Sequence, residues 1–146
     1  MEEIVVRVTA EGEPPEYETA GAAGMDLRAK LDGPVKLEPG KRALIPTGLR
    51  IELPEGYEAQ VRARSGLAAK YGIGLVNGIG TIDSDYRGEI KICLVNLGEE
   101  LFTVNDGDRV AQLVIAKYVR ADIRVTKSLS GTERGEGGFG HTGIES

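Results

Sequence analysis

The 146-residue sequence has no tryptophan, one cysteine, one histidine, six prolines and only seven aromatic residues. The lone Cys93 has no partner for an internal disulfide, and its place in an apolar run marks it as a buried thiol. One cysteine and one histidine cannot furnish the usual nitrogen and sulfur ligands of a zinc site. No apolar run approaches the ~18 residues that a membrane span needs, and the opening MEEIVVRV is acidic where a secretory leader is basic. A cytoplasmic protein without membrane contacts is expected. Basic charge is short as well: 18 Lys and Arg stand against 23 Asp and Glu, a net charge of -5. That balance argues against a nucleic-acid coat, which binds by neutralising many phosphates, and with so few aromatics it disfavours an RNA-binding barrel.

Glycine is abundant instead, at 21 residues. Each interior glycine costs a helix roughly 1 kcal/mol relative to alanine, so long helices are excluded. An apolar fraction of 40% excludes a disordered linker, and the length suits one domain with its own core. Leu49, Ile51 and Leu53 alternate with Arg50 and Glu52, and Ile90, Ile92 and Leu94 alternate with Lys91, Cys93 and Val95, which is the period of a half-buried strand. Asn77-Gly78 between apolar flanks is the strongest hairpin signal. Val110 to Val119, rich in β-branched residues, reads as a strand buried on both sides. A helix of one or two turns is predicted over Ser65 to Lys70, with Ser65 as N-cap and Gly72 just past the end. Many short strands between turns predict an all-β sandwich or barrel. From Gly131 to Gly143 six of thirteen residues are glycine, which predicts a mobile C-terminal arm.

Five strings combine glycine with polar residues that ordinary turns do not require. In GMDLRA, Asp26 is a carboxylate framed by Met25 and Leu27, and a turn-forming Asp is the simplest account of it. In RARSGLA, Arg62 and Arg64 alternate onto one strand face that runs into the helix start at Ser65-Gly66. Free N–H groups and guanidinium donors there make a phosphate cradle, or else a solvated basic face. In NGIGTIDSDYRGEIK, Asp83 and Asp85 suit a general base or a hard cation, or form an acidic hairpin tip, and Tyr86 follows them. In DGDRVAQLVIA, Gln112 either orients a water or satisfies a backbone group. In RGEGGFGHTG, Gly135, Gly137 and Gly140 match GxGxxG literally, but no βαβ unit can follow with six residues left. What remains is a flexible backbone with Arg134, Phe139, His141 and Thr142, suited to closing over a ligand with a ring and phosphates, or a disordered terminus.

The strings GMDLRA, RSGLA, NGIGTIDSDYRGEI, DRVAQL and RGEGGFGHTG, in that order, resemble the five signature motifs of the trimeric dUTP pyrophosphatases (dUTPases), and the resemblance spans nearly the whole chain. It implies a β jelly roll of the β-clip type over residues 1–127 with one short helix, and a flexible glycine-rich arm over 128–146. It implies a homotrimer with shared sites and Mg²⁺-dependent hydrolysis of dUTP to dUMP and pyrophosphate, which keeps uracil out of DNA and supplies dUMP for thymidylate synthesis. In this resemblance Asp83 is the general base, Gln112 lies near the phosphates and the attacking water, and Asp26 acts in the surrounding polar network. The hairpin from Asn77 through Thr81 and Ile82 to Lys91 encloses uracil, largely with main-chain groups and the Asn77 amide. Tyr86 packs beneath the deoxyribose, and Arg64, Ser65 and Gly66 hold phosphates. From the arm, Phe139 stacks on uracil while Arg134, Gly140, His141 and Thr142 meet the β- and γ-phosphates. The Mg²⁺ is held by phosphates and waters, with no direct protein ligand. Ser128 to Gly143 is 16 residues, roughly 20–24 Å for a flexible chain and ~50 Å fully extended, enough to reach a neighbouring subunit. Two departures stand out: Ala63 where many relatives have proline, and His141 where serine or threonine is common. Related deoxycytidine triphosphate deaminases share the fold, and a non-catalytic jelly-roll binding protein is the alternative of a different class.

Overall fold

Alternating side chains build the sheets. In the computed structural model, which describes residues 1–145, Leu49 and Ile51 are buried while Arg50 and Glu52 face outward, and Ile92 and Leu94 alternate with Lys91 and Cys93 in the same way. Ser146, the last residue of the expected arm, lies outside the described residues. In chain order the first strands are β1 (Arg7–Ala10), β2 (Gly24–Arg28), β3 (Val35–Leu37), β4 (Arg42–Pro46), β5 (Leu49–Glu52) and β6 (Tyr57–Arg62). The helix α1 (Ser65–Tyr71) follows, then β7 (Ile73–Leu75), β8 (Gly80–Ile82), β9 (Lys91–Asn96), β10 (Phe102–Val104) and β11 (Arg109–Lys117). The fold is all-β and of jelly-roll type. Every pairing is antiparallel. The sheets run β2-β11-β6-β8, β4-β9-β7, β1-β5 and β3-β10. Their inner faces meet in a core that includes Leu27, Ile45, Val61, Ile73, Ile92, Leu94, Val104 and Leu113. No helix among the described residues is long and apolar enough to cross a membrane.

The predicted strand over Val110 to Val119 is β11, the centre of its sheet between β2 and β6, and it ends at Lys117. Val110, Ala111 and Leu113 are buried on its two faces. The predicted helix is present, but Ser65 is not its N-cap. Arg64 holds that position in extended conformation, no side chain caps the helix, and Ser65 is its first residue. Gly72 ends the helix in the left-handed region at φ 73°, with its N–H on the Ala68 and Leu67 carbonyls. A Cβ on Gly72 would also come within 2.6 Å of the Gly98 nitrogen, so both conformation and packing call for glycine here.

Asn77-Gly78 turns the chain without making a hairpin. The Gly78 N–H meets the Leu75 carbonyl at 3.2 Å, and Gly78 sits at φ 70°. Asn77 does not share the positive φ that a two-residue mirror-type turn requires at both centres. The flanking strands therefore part: β7 pairs with β9 and β8 pairs with β6. The expected hairpin from Asn77 to Lys91 is instead a crossing between two sheets, and the gap between their edges forms a cavity.

Candidate active site

Three groups of polar residues emerge, each placed by a different part of the fold. The first lies across β2, β11 and the end of β6. Asp26 stands opposite Gln112, which stands opposite Arg62. Asp26 is therefore a strand residue, and its partly buried carboxylate is ion-paired as the low dielectric demands. Arg64 Nε lies 3.2 Å from its Oδ1 and Arg109 Nε lies 3.7 Å from its Oδ2. Arg109 reaches on to Glu18 at 3.8 Å, and Arg64 donates to the Arg109 carbonyl at 3.2 Å. Gln112 Nε2 donates to the Ala63 carbonyl at 3.1 Å, which fixes the backbone one residue before Arg64. Next come Ser65 and the open backbone of Gly66, where the first turn of a helix leaves its N–H groups without intrahelical partners. Arg62 does not join this group, because its guanidinium is held by Gln60 Oε1 at 2.6 and 3.1 Å. The arrangement offers aligned donors to an anion.

The second group surrounds a cavity of about 280 Å³ between the edge strands β8 and β7, lined by Asn77, Gly80, Thr81, Ile82, Asp83, Tyr86 and Lys91 with Cys93. Cys93 is half-buried and borders this cavity, where a buried thiol was expected. Because β8 is an edge strand, its outer main-chain donors and acceptors are free to read a flat polar ring. Tyr86 forms one wall, with its hydroxyl on the Glu89 carbonyl at 2.9 Å. Gly88 serves that ring: a Cβ there would overlap the Tyr86 phenol. Asp83 is exposed at the rim, and its carbonyl accepts the Tyr86 N–H at 3.2 Å in a tight turn. Asp85 lies outside this cavity, with Asp83 and Ser84 on an adjoining groove.

The third group is in the arm. Arg134 Nε donates to the Gly137 carbonyl at 2.7 Å, and the His141 ring packs where a Gly137 Cβ would stand. Arg134, Gly140, His141 and Thr142 line one concavity, and Phe139 projects into solvent at φ 48°.

The three groups do not meet within one chain. Asp83 follows Ile82, which pairs with Ala59, so it lies opposite Glu58, whereas Gln112 lies opposite Arg62. Four residues of β6 separate these levels, about 13 Å at the rise of a strand. Beyond Tyr118, whose N–H bonds to the Gly56 carbonyl at 3.0 Å, the hydrogen bonds among the described residues stay within the segment itself. Sequence reasoning missed Arg109 and Glu18. Arg109 lies within the fourth string as the cation that opens its apolar run, which was the available signal; Glu18 was hidden in an acidic, proline-broken stretch.

The dUTPase family model matches residues 10–143. A deoxyuridine 5'-triphosphate nucleotidohydrolase of Bdellovibrio bacteriovorus is 52% identical over 98% of this chain and 99% of its own. The solved structure of a dUTPase mutant from Staphylococcus bacteriophage 80alpha, bound to dUpNHpp, is similar with a TM-score of 0.87 at 26% identity, covering 96% of this chain and 99% of that one. A dUTPase of S. aureus phage phi11, described with a coordinated structural Mg(II) ion, shares the fold at a TM-score of 0.79 and 23% identity, over 88% of this chain and all of its own.

Proposed function

The chain belongs to the dUTPase family, and from that premise we propose how its own residues hydrolyse dUTP to dUMP and pyrophosphate. The observation that carries the reading is the 280 Å³ cavity with Asp83 at its rim and Tyr86 as its wall. Its size is near the lower end for small-molecule sites, about 300 Å³, and suits a nucleoside whose phosphates extend outward. Uracil docks on the free edge of β8 at Thr81 and Ile82, with the Asn77 amide and Lys91 beside it. Tyr86, fixed through Glu89, lies beneath the deoxyribose and leaves no room for a 2′-hydroxyl. The triphosphate reaches Arg64, Ser65 and Gly66, while Asp26 holds the Arg64 guanidinium and Gln112 holds the backbone that carries it. Asp83 takes the proton of a water as its oxygen attacks the α-phosphorus. The bond from that phosphorus to the bridging oxygen breaks, and pyrophosphate leaves.

Both Asp26 oxygens face arginines, and no group of three or more His, Cys, Asp or Glu converges on a cation position among the described residues. An Mg²⁺ that enters with the phosphates would be held by them and by water. When bound, the ion neutralises phosphate charge and orients the chain of phosphates.

The chain divides into a jelly-roll body (1–127) and an arm (128–146) that closes over the site, with Phe139 on uracil and Arg134, Gly140, His141 and Thr142 on the outer phosphates. Since the groups lie apart in one chain, the working form is a homotrimer in which different subunits supply them. The segment that leads to the arm supports this: Val119, Ile123, Val125 and Leu129 are each at least 81% exposed, and such apolar surface calls for a partner. A cytoplasmic location belongs to the same reading.

The test is to supply Mg²⁺ with dUTP, dCTP or UTP and to measure pyrophosphate and ammonia. Pyrophosphate from dUTP is expected, and ammonia from dCTP would favour a deaminase. Asp83→Asn is expected to lower kcat about 10²–10⁴-fold with little change in nucleotide binding. Near-normal turnover in that variant would remove Asp83 as the base.

A further inference from the structure

We infer that Arg87 and Glu52 are positioning residues for the Asp83–Tyr86 turn, an inference that rests on the reading of that turn as the place of the base and the sugar wall. One edge of β5 is taken by β1, and the chain from Arg87 to Ile90 is held along β5 and the turn before it. Ile90 N–H bonds to the Leu49 carbonyl at 2.8 Å, and Gly48 N–H bonds to Glu89 Oε2 at 3.1 Å. The Thr47 hydroxyl donates to the Ile90 carbonyl at 2.5 Å, and Arg50 Nη1 donates to the Arg87 carbonyl at 3.1 Å. These bonds fix the chain after the turn but do not touch the turn itself.

The turn has one backbone hydrogen bond, from Tyr86 N–H to the Asp83 carbonyl. The Ser84 hydroxyl lies 3.3 Å from the Tyr118 hydroxyl, and Arg87 adds the hold on the carbonyls of the turn. Its side chain folds back so that Nη1 donates to the Ser84 carbonyl at 2.7 Å and the Tyr86 carbonyl at 3.3 Å. One guanidinium thus bridges two carbonyls two residues apart and keeps the turn closed between the proposed base and the proposed wall. Its Nε faces Glu52 Oε1 at 3.6 Å, and the other Glu52 oxygen meets Arg7 of β1 at 3.3 Å. Glu52 therefore fixes the angle of the guanidinium against the sheet. Half-exposed ion pairs contribute little alone, so the effect lies in orientation. A lysine cannot reproduce it, because an ammonium is a point charge without the rigid fork of the guanidinium.

Arg87→Ala, Arg87→Lys and Glu52→Gln in the full chain test the inference. Arg87→Ala is expected to lower kcat about 10–100-fold, with KM within about threefold, because it misplaces the reacting groups without removing a substrate contact. The preference for dUTP over UTP narrows, the Tyr86 amide exchanges hydrogen faster, and Tm moves by only a few degrees. Arg87→Lys recovers part of the loss. Glu52→Gln gives a smaller loss that disappears in an Arg87→Ala background, as expected for residues acting as one unit. Wild-type kcat, preference and exchange in Arg87→Ala would overturn the inference, as would losses that track a general fall in stability with exchange rising throughout. Hydrogen exchange needs no substrate. If the unaltered chain releases no pyrophosphate from dUTP, the functional reading fails, and exchange at Tyr86 still decides the positioning role.

Discussion

Asn96 is the polar residue fully buried among the described ones, and it is completely used. Its Nδ2 donates to the Leu37 carbonyl at 2.8 Å and the Glu100 carbonyl at 2.7 Å, while its Oδ1 accepts the Gly98 N–H at 2.9 Å. It joins the end of β9 to β3 and to the turn against which α1 stops. Asn96→Ala leaves two carbonyls and one N–H without partners, at a cost of about 2–4 kcal/mol, or roughly 6–15 °C in Tm. Thermal unfolding checks this, and a loss below about 1 kcal/mol would mean that water replaces the amide. Nothing near Asn96 in the sequence signals this role, because a buried amide is defined by partners far along the chain. Gln112 was more legible, as the one uncharged polar residue in an apolar strand. The sequence left open whether it serves water or backbone, and its Nε2 serves the backbone at Ala63. Gly88, in the same string as Tyr86, is required for packing, since a Cβ there would overlap the Tyr86 phenol.

At the scale of elements, the N-terminal segment is tied to the sheet where β11 finishes. Lys117 pairs with Tyr57 across the sheet, and Glu2 bridges them, with its Oε2 2.7 Å from Lys117 Nζ and its Oε1 accepting the Tyr57 hydroxyl. The bond from Lys117, then that from Tyr57, hold the Glu2 carboxyl below its ordinary range. The bond to Glu2 raises both the Tyr57 phenol and the Lys117 ammonium. A lowered carboxyl contributes stability above its unfolded value and loses it as pH falls through the folded one. A raised phenol or ammonium contributes below its unfolded value and loses it as pH rises through the folded one. The clamp therefore holds across the neutral range and opens only as pH falls through the lowered Glu2 value or rises through the raised Tyr57 and Lys117 values. Chemical shifts of residues 2–8 followed by NMR from pH 3 to 11 check this, and an ordinary titration of Glu2 would show the clamp absent. Global Tm is expected to change little, because exposed pairs contribute little. Strand periodicity was readable because it is local, as β5 and β9 demonstrate. Pairing was not: Asn77-Gly78 correctly signalled a turn, but whether its flanks meet depends on β6 and β9, with which β8 and β7 pair instead.

At the scale of the whole molecule, the five strings are all visible in the sequence, and three of them meet at Asp26, Arg64 and Gln112, but this cluster, the Asp83 cavity and the arm stay apart in one chain. If Asp83, the Arg64 cluster and the arm come from different subunits, two inactive chains should repair each other. One is Asp83→Asn with an intact arm, and the other keeps Asp83 but ends after Ser130. The truncation removes no strand, so it should fold and associate, yet alone it has no Phe139, Arg134 or His141 to close the site. Co-expressed in equal amounts, the two chains mix at random in a closed symmetric ring. A site then works when the subunit that gives the base is the truncated one and the subunit that gives the arm is the Asp83→Asn one, which yields about a quarter of the wild-type activity. Sites built within one chain predict no recovery, since every subunit carries one defect. Pyrophosphate release from the purified mixed oligomer decides between them. Recovery that vanishes on dilution below the association range would place the shared site at the subunit boundary, because complementation of this kind lasts only as long as the subunits remain together.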